Sequence, residues 1–257
     1  MSLVKEMKVD KLNVKVLANR SEMGKVAAEE ASAVICDMLS KKSEINMIFA
    51  AAPSQDEFLA ILAADKRIDF TRINAFHMDE YIGLDAASPA GFGNFLRDRL
   101  FGVCPFKSVN YLNGNAADPE AEAARYSKLL ADNPTDIVCM GIGENGHIAF
   151  NDPPVADFND KKLVKTVELE QVCRNQQVND GCFKSLNEVP THALSLTVPA
   201  LVKSAYVFCI VPAPTKAQAV YNTLNNKDIN EKCPATILRT HDHATLYLEP
   251  DSAKLLK

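Results

Sequence analysis

The feature that most restricts the fold of this chain is a repeated alternation of short apolar runs with segments of helical spacing. Ile45–Ala50, Ile137–Met140 and Tyr206–Val211 are largely unbroken apolar runs of strand length, as expected of strands covered on both faces. Leu12–Ala18 alternates in the manner of a strand, and Ile73–Phe76, Val109–Leu112, Leu163–Leu169, His192–Leu201 and Thr245–Leu248 supply further strands. Between them, Met23, Ala27, Ala31, Val34 and Met38 recur at helical spacing behind Ser21, which reads as the cap. Ser54-Gln55-Asp56-Glu57 has the capping-box pattern and opens a helix through Ala63. Phe92–Phe101 reads as a helix, Pro119–Ala131 places proline in the favoured first turn, and another helix starts near Thr215. Strands alternating with helices specify an α/β protein whose mainly parallel sheet is covered on both faces. No linker, repeat or low-complexity tract divides the chain, so 1–257 reads as a single domain, with an inserted lobe between Phe92 and Leu112 as its one elaboration.

Composition narrows the function classes. Hydrophobic residues at 47% and charged residues at 24% are ordinary globular values, which sets disorder aside. A formal net charge of -5 with no compensating basic block argues against a nucleic-acid partner. An anionic substrate therefore needs a local cationic site. No segment approaches the ~20 apolar residues of a membrane span, and Met1–Lys11 is charged throughout without an apolar core, so a cytoplasmic protein with no membrane partner is expected. The seven cysteines form no C-x-x-C pair, and Cys139 and Cys209 lie inside apolar runs. That pattern predicts buried thiols in a reducing compartment.

In sheets of this type, ligands bind beyond the carboxyl ends of the strands. The rule selects Ala51–Gln55, His77–Tyr81, Gly141–Asp152 and Pro212–Lys216. Gly141–Gly146 spells G-x-G-x-x-G after a strand, and Glu168 follows at about the spacing of a ribose-binding acid. A dinucleotide turn must run into a full helix, however, and Pro153-Pro154 stops one almost at once. No nicotinamide or other cofactor is implied. Those glycines instead permit positive φ and close approach of backbone to a ligand, Gly146 immediately before His147. A neutral imidazole both donates and accepts a proton near pH 7, and Asp152 lies close by in the chain. Asp79 and Glu80 are adjacent carboxylates at a strand terminus, one of which can stand over a substrate as a base. Lys216 is a cation at the start of a helix, a placement unfavourable until an anion binds between it and the free backbone N–H groups.

Two blocks, Phe76–Leu84 (FHMDEYIGL) and Gly141–Pro153 (GIGENGHIAFNDP), together with Leu112–Asn115, Pro190–Leu201 and Pro214-Thr215-Lys216, resemble the glucosamine-6-phosphate deaminase family. Order and approximate spacing agree over nearly the whole chain. The resemblance implies a Rossmann-like three-layer fold and a metal-free, cofactor-free aldose–ketose isomerisation coupled to loss of ammonia from an amino-sugar phosphate. It implies that Asp79 takes the C2 proton and returns it to C1, that His147 opens the pyranose ring with Asp152 as carboxylate partner, and that Lys216 holds the phosphate.

The chain departs from the family pattern at Asn145, where the family usually has Asp, and at Asp152, where it usually has Glu. The family's phosphate loop is replaced by Ala50–Gln55, in which Ser54 and its neighbour Gln55 are the candidate contacts. Arg174 is the nearest candidate for the family's phosphate arginine. Two other functions remain open on the sequence. One is a 6-phosphogluconolactonase-type hydrolase, which resembles this family and shares the Gly-His turn. The other is a sugar-phosphate sensor that keeps the fold without the reaction. Sugar epimer, allosteric effector and homo-oligomer number are not legible.

Overall fold

A computed structural model describes residues 3–256; Met1 and Ser2 of the charged N-terminal segment, and Lys257, lie outside the described residues. The main sheet is built from β1 (Leu3–Val9), β2 (Leu12–Leu17), β3 (Ile45–Phe49), β4 (Ile73–His77), β6 (Ser108–Asn110), β7 (Ile137–Met140), β10 (Tyr206–Val211) and β11 (Ala244–Leu248). Its order is β1-β2-β11-β10-β7-β3-β4-β6, parallel throughout except for the antiparallel β1–β2 pair. Successive side chains on a strand face opposite ways. Ile137 and Cys139 therefore join one core, with α1 (Arg20–Lys41), α2 (Asp56–Ala64) and α3 (Phe92–Leu96), while Val138 and Met140 join the other. That second core also takes in α4 (Pro119–Asp132), α6 (Val198–Val202) and α7 (Ala217–Asn225). The result is a three-layer α/β domain with a mainly parallel sheet, as the alternation predicts.

Several local expectations are corrected. Asn19, not Ser21, caps α1, its side chain accepting from the Glu22 N–H at 2.9 Å. The capping box at Ser54 does not form, because Pro53–Gln55 winds into a 3-10 turn before α2 and the Ser54 hydroxyl faces the Gln55 amide. The run His192–Leu201 is two elements: β9 (His192–Leu196) ends where Thr197 caps α6 and Pro199 sits in its first turn. The strand expected at 109–112 lies at 108–110. No inserted lobe occupies 92–112, which holds α3, a π-helical turn (Arg97–Phe101) and the edge strand β6. The extra layer is a small antiparallel sheet of β5 (Asp79–Tyr81), β9 and β8 (Val164–Glu168).

Strand order reverses between β3 and β7, which are neighbours in the sheet although three helices and three strands separate them in the chain. Crevices at such reversals are where α/β sheets bind ligands. Here the crevice is bounded by the ends of β3, β4, β7 and β10, and β5 is laid across it by pairing with β9.

Candidate active site

Asp79 is placed by its neighbour His77. The His77 ring is fully buried, and its Nε2 accepts from the Leu112 N–H at 2.9 Å. The proton must then sit on Nδ1, which donates to the Asp79 carbonyl at 2.9 Å. Burial pushes the His77 pKa down to about 4, so this strut stays neutral. It delivers the Asp79 side chain, 6% exposed, into a cleft also lined by Ala50–Ala52, Ser54, Gln55, Phe92, Gly141–Gly143, His147 and Lys216. Burial, and secondarily the adjacent charge of Glu80, raises the Asp79 carboxyl well above the usual carboxylate range. A raised carboxylate is a stronger base than a solvated one.

His147 is held by a network of hydrogen bonds. Its Nδ1 faces Asn145 Oδ1 at 2.7 Å and Asp152 Oδ1 at 3.0 Å, and its backbone N–H donates to the same Asn145 oxygen at 3.1 Å. Both partners of Nδ1 are acceptors, so Nδ1 carries the proton and Nε2 of the neutral ring is free to accept one. Asn145 Nδ2 donates to Asp152 Oδ1 and to Glu170 Oε2, each at 2.9 Å. Burial alone would raise the Asp152 pKa, but hydrogen bonding and charge from His147, with the Asn145 amide and the Glu170 backbone, outweigh it and hold the carboxyl below its usual range. Asn151 fixes the turn to the small sheet, its amide donating to the carbonyls of Ile148 (2.9 Å) and Leu196 (2.8 Å). The imidazole lies flat over Gly143, where no Cβ fits. Gly146 makes the turn itself, with φ +82° and Cys233 Sγ where its side chain would be.

His147, Asp152 and Cys173 bring ligand-type atoms within 4.8 Å of one another, an arrangement able to hold a metal ion. The surroundings of these side chains favour hydrogen bonding instead. Nδ1 is shared between two oxygens, and burial raises the Cys173 thiol well above its usual range.

Lys216 ends a 3-10 turn after β10 and is only 4% exposed. It is aimed by strained backbone: Ala213, at φ +85° and ψ 146°, turns the chain so that its carbonyl accepts from the Lys216 N–H at 3.1 Å. Burial lowers the lysine pKa, with Asp180 and Glu144 acting through space to raise it. Among the described residues none hydrogen-bonds to or pairs with its ammonium. A buried, unpaired cation facing a cleft is costly unless an anion arrives.

Asp79, His147, Lys216, Ser54 and Gln55 thus share one cleft, with Asn145 and Asp152 directly behind His147. Glu80 is turned away. Its carboxylate accepts from the N–H groups of Tyr81, Phe92 and Gly93 and caps α3 beside a separate cavity of about 320 Å³. Arg174 also faces elsewhere, donating to the carbonyls of Leu186 and Val189, both at 2.8 Å, beside a third cavity. Sequence reasoning missed α5 (Gln171–Asn179), which brings Gln176 and Gln177 to the cleft; Asp180, the residue that follows the helix, lines the cleft as well. Gln176 Oε1 also accepts from the Glu144 N–H at 2.8 Å and so steadies the glycine turn.

The chain as a whole has counterparts among known proteins. The model of a family described as glucosamine-6-phosphate isomerases/6-phosphogluconolactonase matches residues 18–247. The chain belongs to this family. Glucosamine-6-phosphate deaminase of Listeria monocytogenes serovar 1/2a is 32% identical over 234 residues, spanning 90% of this chain and 97% of the relative. The deaminase of Bacillus cereus strain B4264 is 32% identical over 244 residues, spanning 95% and 89%. A solved structure described as a monomeric glucosamine-6-phosphate deaminase superposes with TM-score 0.85 at 28% identity, covering 97% of this chain and all of that one. A 6-phosphogluconolactonase from Thermotoga maritima superposes with TM-score 0.75 at 19% identity over 93% of this chain and all of its own, a likeness of fold alone. No helix among the described residues is long and apolar enough to cross a membrane.

Proposed function

We propose that the enzyme isomerises and deaminates an amino-sugar phosphate, converting glucosamine 6-phosphate to fructose 6-phosphate and ammonia. The observation that carries this reading is the cleft in which a buried carboxyl, a tautomer-fixed imidazole and an unpaired buried ammonium meet. Lys216, with the Ser54 hydroxyl, receives the phosphate. Nε2 of His147 takes the anomeric hydroxyl proton and passes it to the ring oxygen as that oxygen leaves C1, giving the open-chain aldehyde. Asp79 removes the C2 proton and returns it to C1 while an amine proton passes to O1, so that the aldehyde becomes a C1 hydroxyl and the amine an imine at C2. Water adds to that imine, and ammonia departs as the ketone forms.

A lactonase needs activated water but no base at C2. The cost of burying Asp79 therefore favours isomerisation. The deaminases of Listeria and Bacillus support the same substrate class. All seven cysteines are free thiols, which supports a reducing, cytoplasmic setting. Ammonia release should be measured over the 6-phosphates of glucosamine, galactosamine and mannosamine. Turnover of the glucosamine compound is expected, and ammonia from none of the three removes the reading.

A further inference from the structure

His147 is oriented by Asn145, and Asn145 is itself oriented by something. Its amide stands between two carboxylates, each accepting one Nδ2 hydrogen at 2.9 Å: Asp152 Oδ1 on one side and Glu170 Oε2 on the other. Only then is Oδ1 committed to the His147 ring and backbone. Glu170 is half-buried at the start of α5, 25 positions from Asn145, and it does not line the substrate cleft. It lines a cavity of about 540 Å³ behind the network, together with Asp152, Glu168 and Arg174.

We propose that Glu170 is a positioning residue for the reaction: by accepting the second Asn145 amide hydrogen it fixes the amide orientation that keeps the proton of His147 on Nδ1 and Nε2 free. The same geometry explains a neutral residue at position 145. A carboxylate there would meet two others at hydrogen-bond distance with no proton between them, a repulsion that drives proton uptake or displacement. The amide links His147 to two carboxylates without adding a third charge.

The proposal rests on His147 as the ring-opening group, and its tests separate the two. Glu170→Ala should lower kcat on the cyclic amino-sugar phosphate by roughly tenfold or more, as expected of a small misplacement of a reacting group, with KM within twofold. Glu170→Gln keeps an acceptor and should restore most of the rate. In an Asn145→Asp background, where no amide needs orienting, Glu170→Ala should leave kcat unchanged or raise it. Ring ¹⁵N shifts of His147, read in mildly alkaline solution, should show the Nδ1–H tautomer in the wild type and Glu170→Gln, and a tautomer mixture in Glu170→Ala. An unchanged tautomer and kcat in folded Glu170→Ala, a Gln variant as impaired as Ala, or the same loss in both backgrounds would each overturn the role of Glu170. A wild type that releases no ammonia yet shows the tautomer response would overturn the deaminase reading and leave the positioning intact.

Discussion

Gly143→Ala tests how tightly the imidazole is seated. Gly143 does not adopt positive φ, so space alone is at issue. A Cβ there would stand 2.0 Å from Cε1, 2.2 Å from Nε2 and 2.3 Å from Nδ1 of His147, the full width of the ring. Carbon contacts need about 3.5 Å, so the ring must retreat by roughly 1.5 Å. Its Nδ1 contacts, now 2.7 Å and 3.0 Å, would then pass beyond the ~3.2 Å limit of a good hydrogen bond. Two lost bonds at about 0.5–1.5 kcal/mol each, or equivalently about 1–3 kcal/mol of overpacking, should lower the melting temperature by ~2–4 °C per kcal/mol. A reacting group misplaced by about an ångström commonly costs ~10² in rate. Ammonia release by Gly143→Ala should fall by about that factor while the far-ultraviolet circular dichroism stays native. Wild-type kcat within twofold together with an unmoved melting curve would show that the ring is not held against Gly143.

Asp79→Asn should lower kcat by about 10²–10⁴ and also stabilise the fold at neutral pH. The raised Asp79 pKa means that native-state proton binding supports the fold below the unfolded pKa and that this support is lost as pH rises through the folded value. The stability gain of the variant, read from thermal melts across pH, should therefore shrink on acidification. Lys216→Met should raise KM for the phosphorylated sugar by roughly 10–100-fold, the worth of one charge-assisted contact. Because burial depresses the lysine pKa, its charging costs stability as pH falls through the folded value, and the Met variant should melt higher than wild type at neutral pH. Ala213→Gly relieves a φ of +85° worth about 1–3 kcal/mol, set against the ~0.5–1 kcal/mol entropy cost of glycine. Its melting temperature should rise, and a fall would show that the turn is unstrained.

What could be read in the sequence is what depends on near neighbours. Ile137–Met140 is apolar at every position because both its faces are covered, and its bounds are legible to the residue. The strand-end rule then places Asp79, His147 and Lys216 without structural help. β5 was hidden because Asp79-Glu80-Tyr81 carries its chemistry on a strand only three residues long. α5 was hidden because Gln171–Asn179 buries Cys173, Gln176 and Gln177 and so has no apolar stripe. β1 is an exposed edge strand whose charges, Lys5, Glu6 and Lys8, mask its alternation while guarding the edge against further pairing. Arg174 and Glu80 have the right charge or position in the chain, but Nη2 of the one and the carboxylate of the other are engaged by backbone outside the cleft. Glu170 meets Asn145 only because α5 begins beside the glycine turn, a contact that no local spacing encodes.

The central claim is that Asp79 moves a proton from C2 to C1 in the cleft that holds His147 and Lys216. It is tested most directly by turning over C2-deuterated glucosamine 6-phosphate in ordinary water and locating the label in the ketose product by NMR. The account predicts ammonia in step with fructose 6-phosphate, deuterium at C1, and loss of both product and label in Asp79→Asn. Product formed without any C1 deuterium, or full turnover by folded Asp79→Asn, would contradict it.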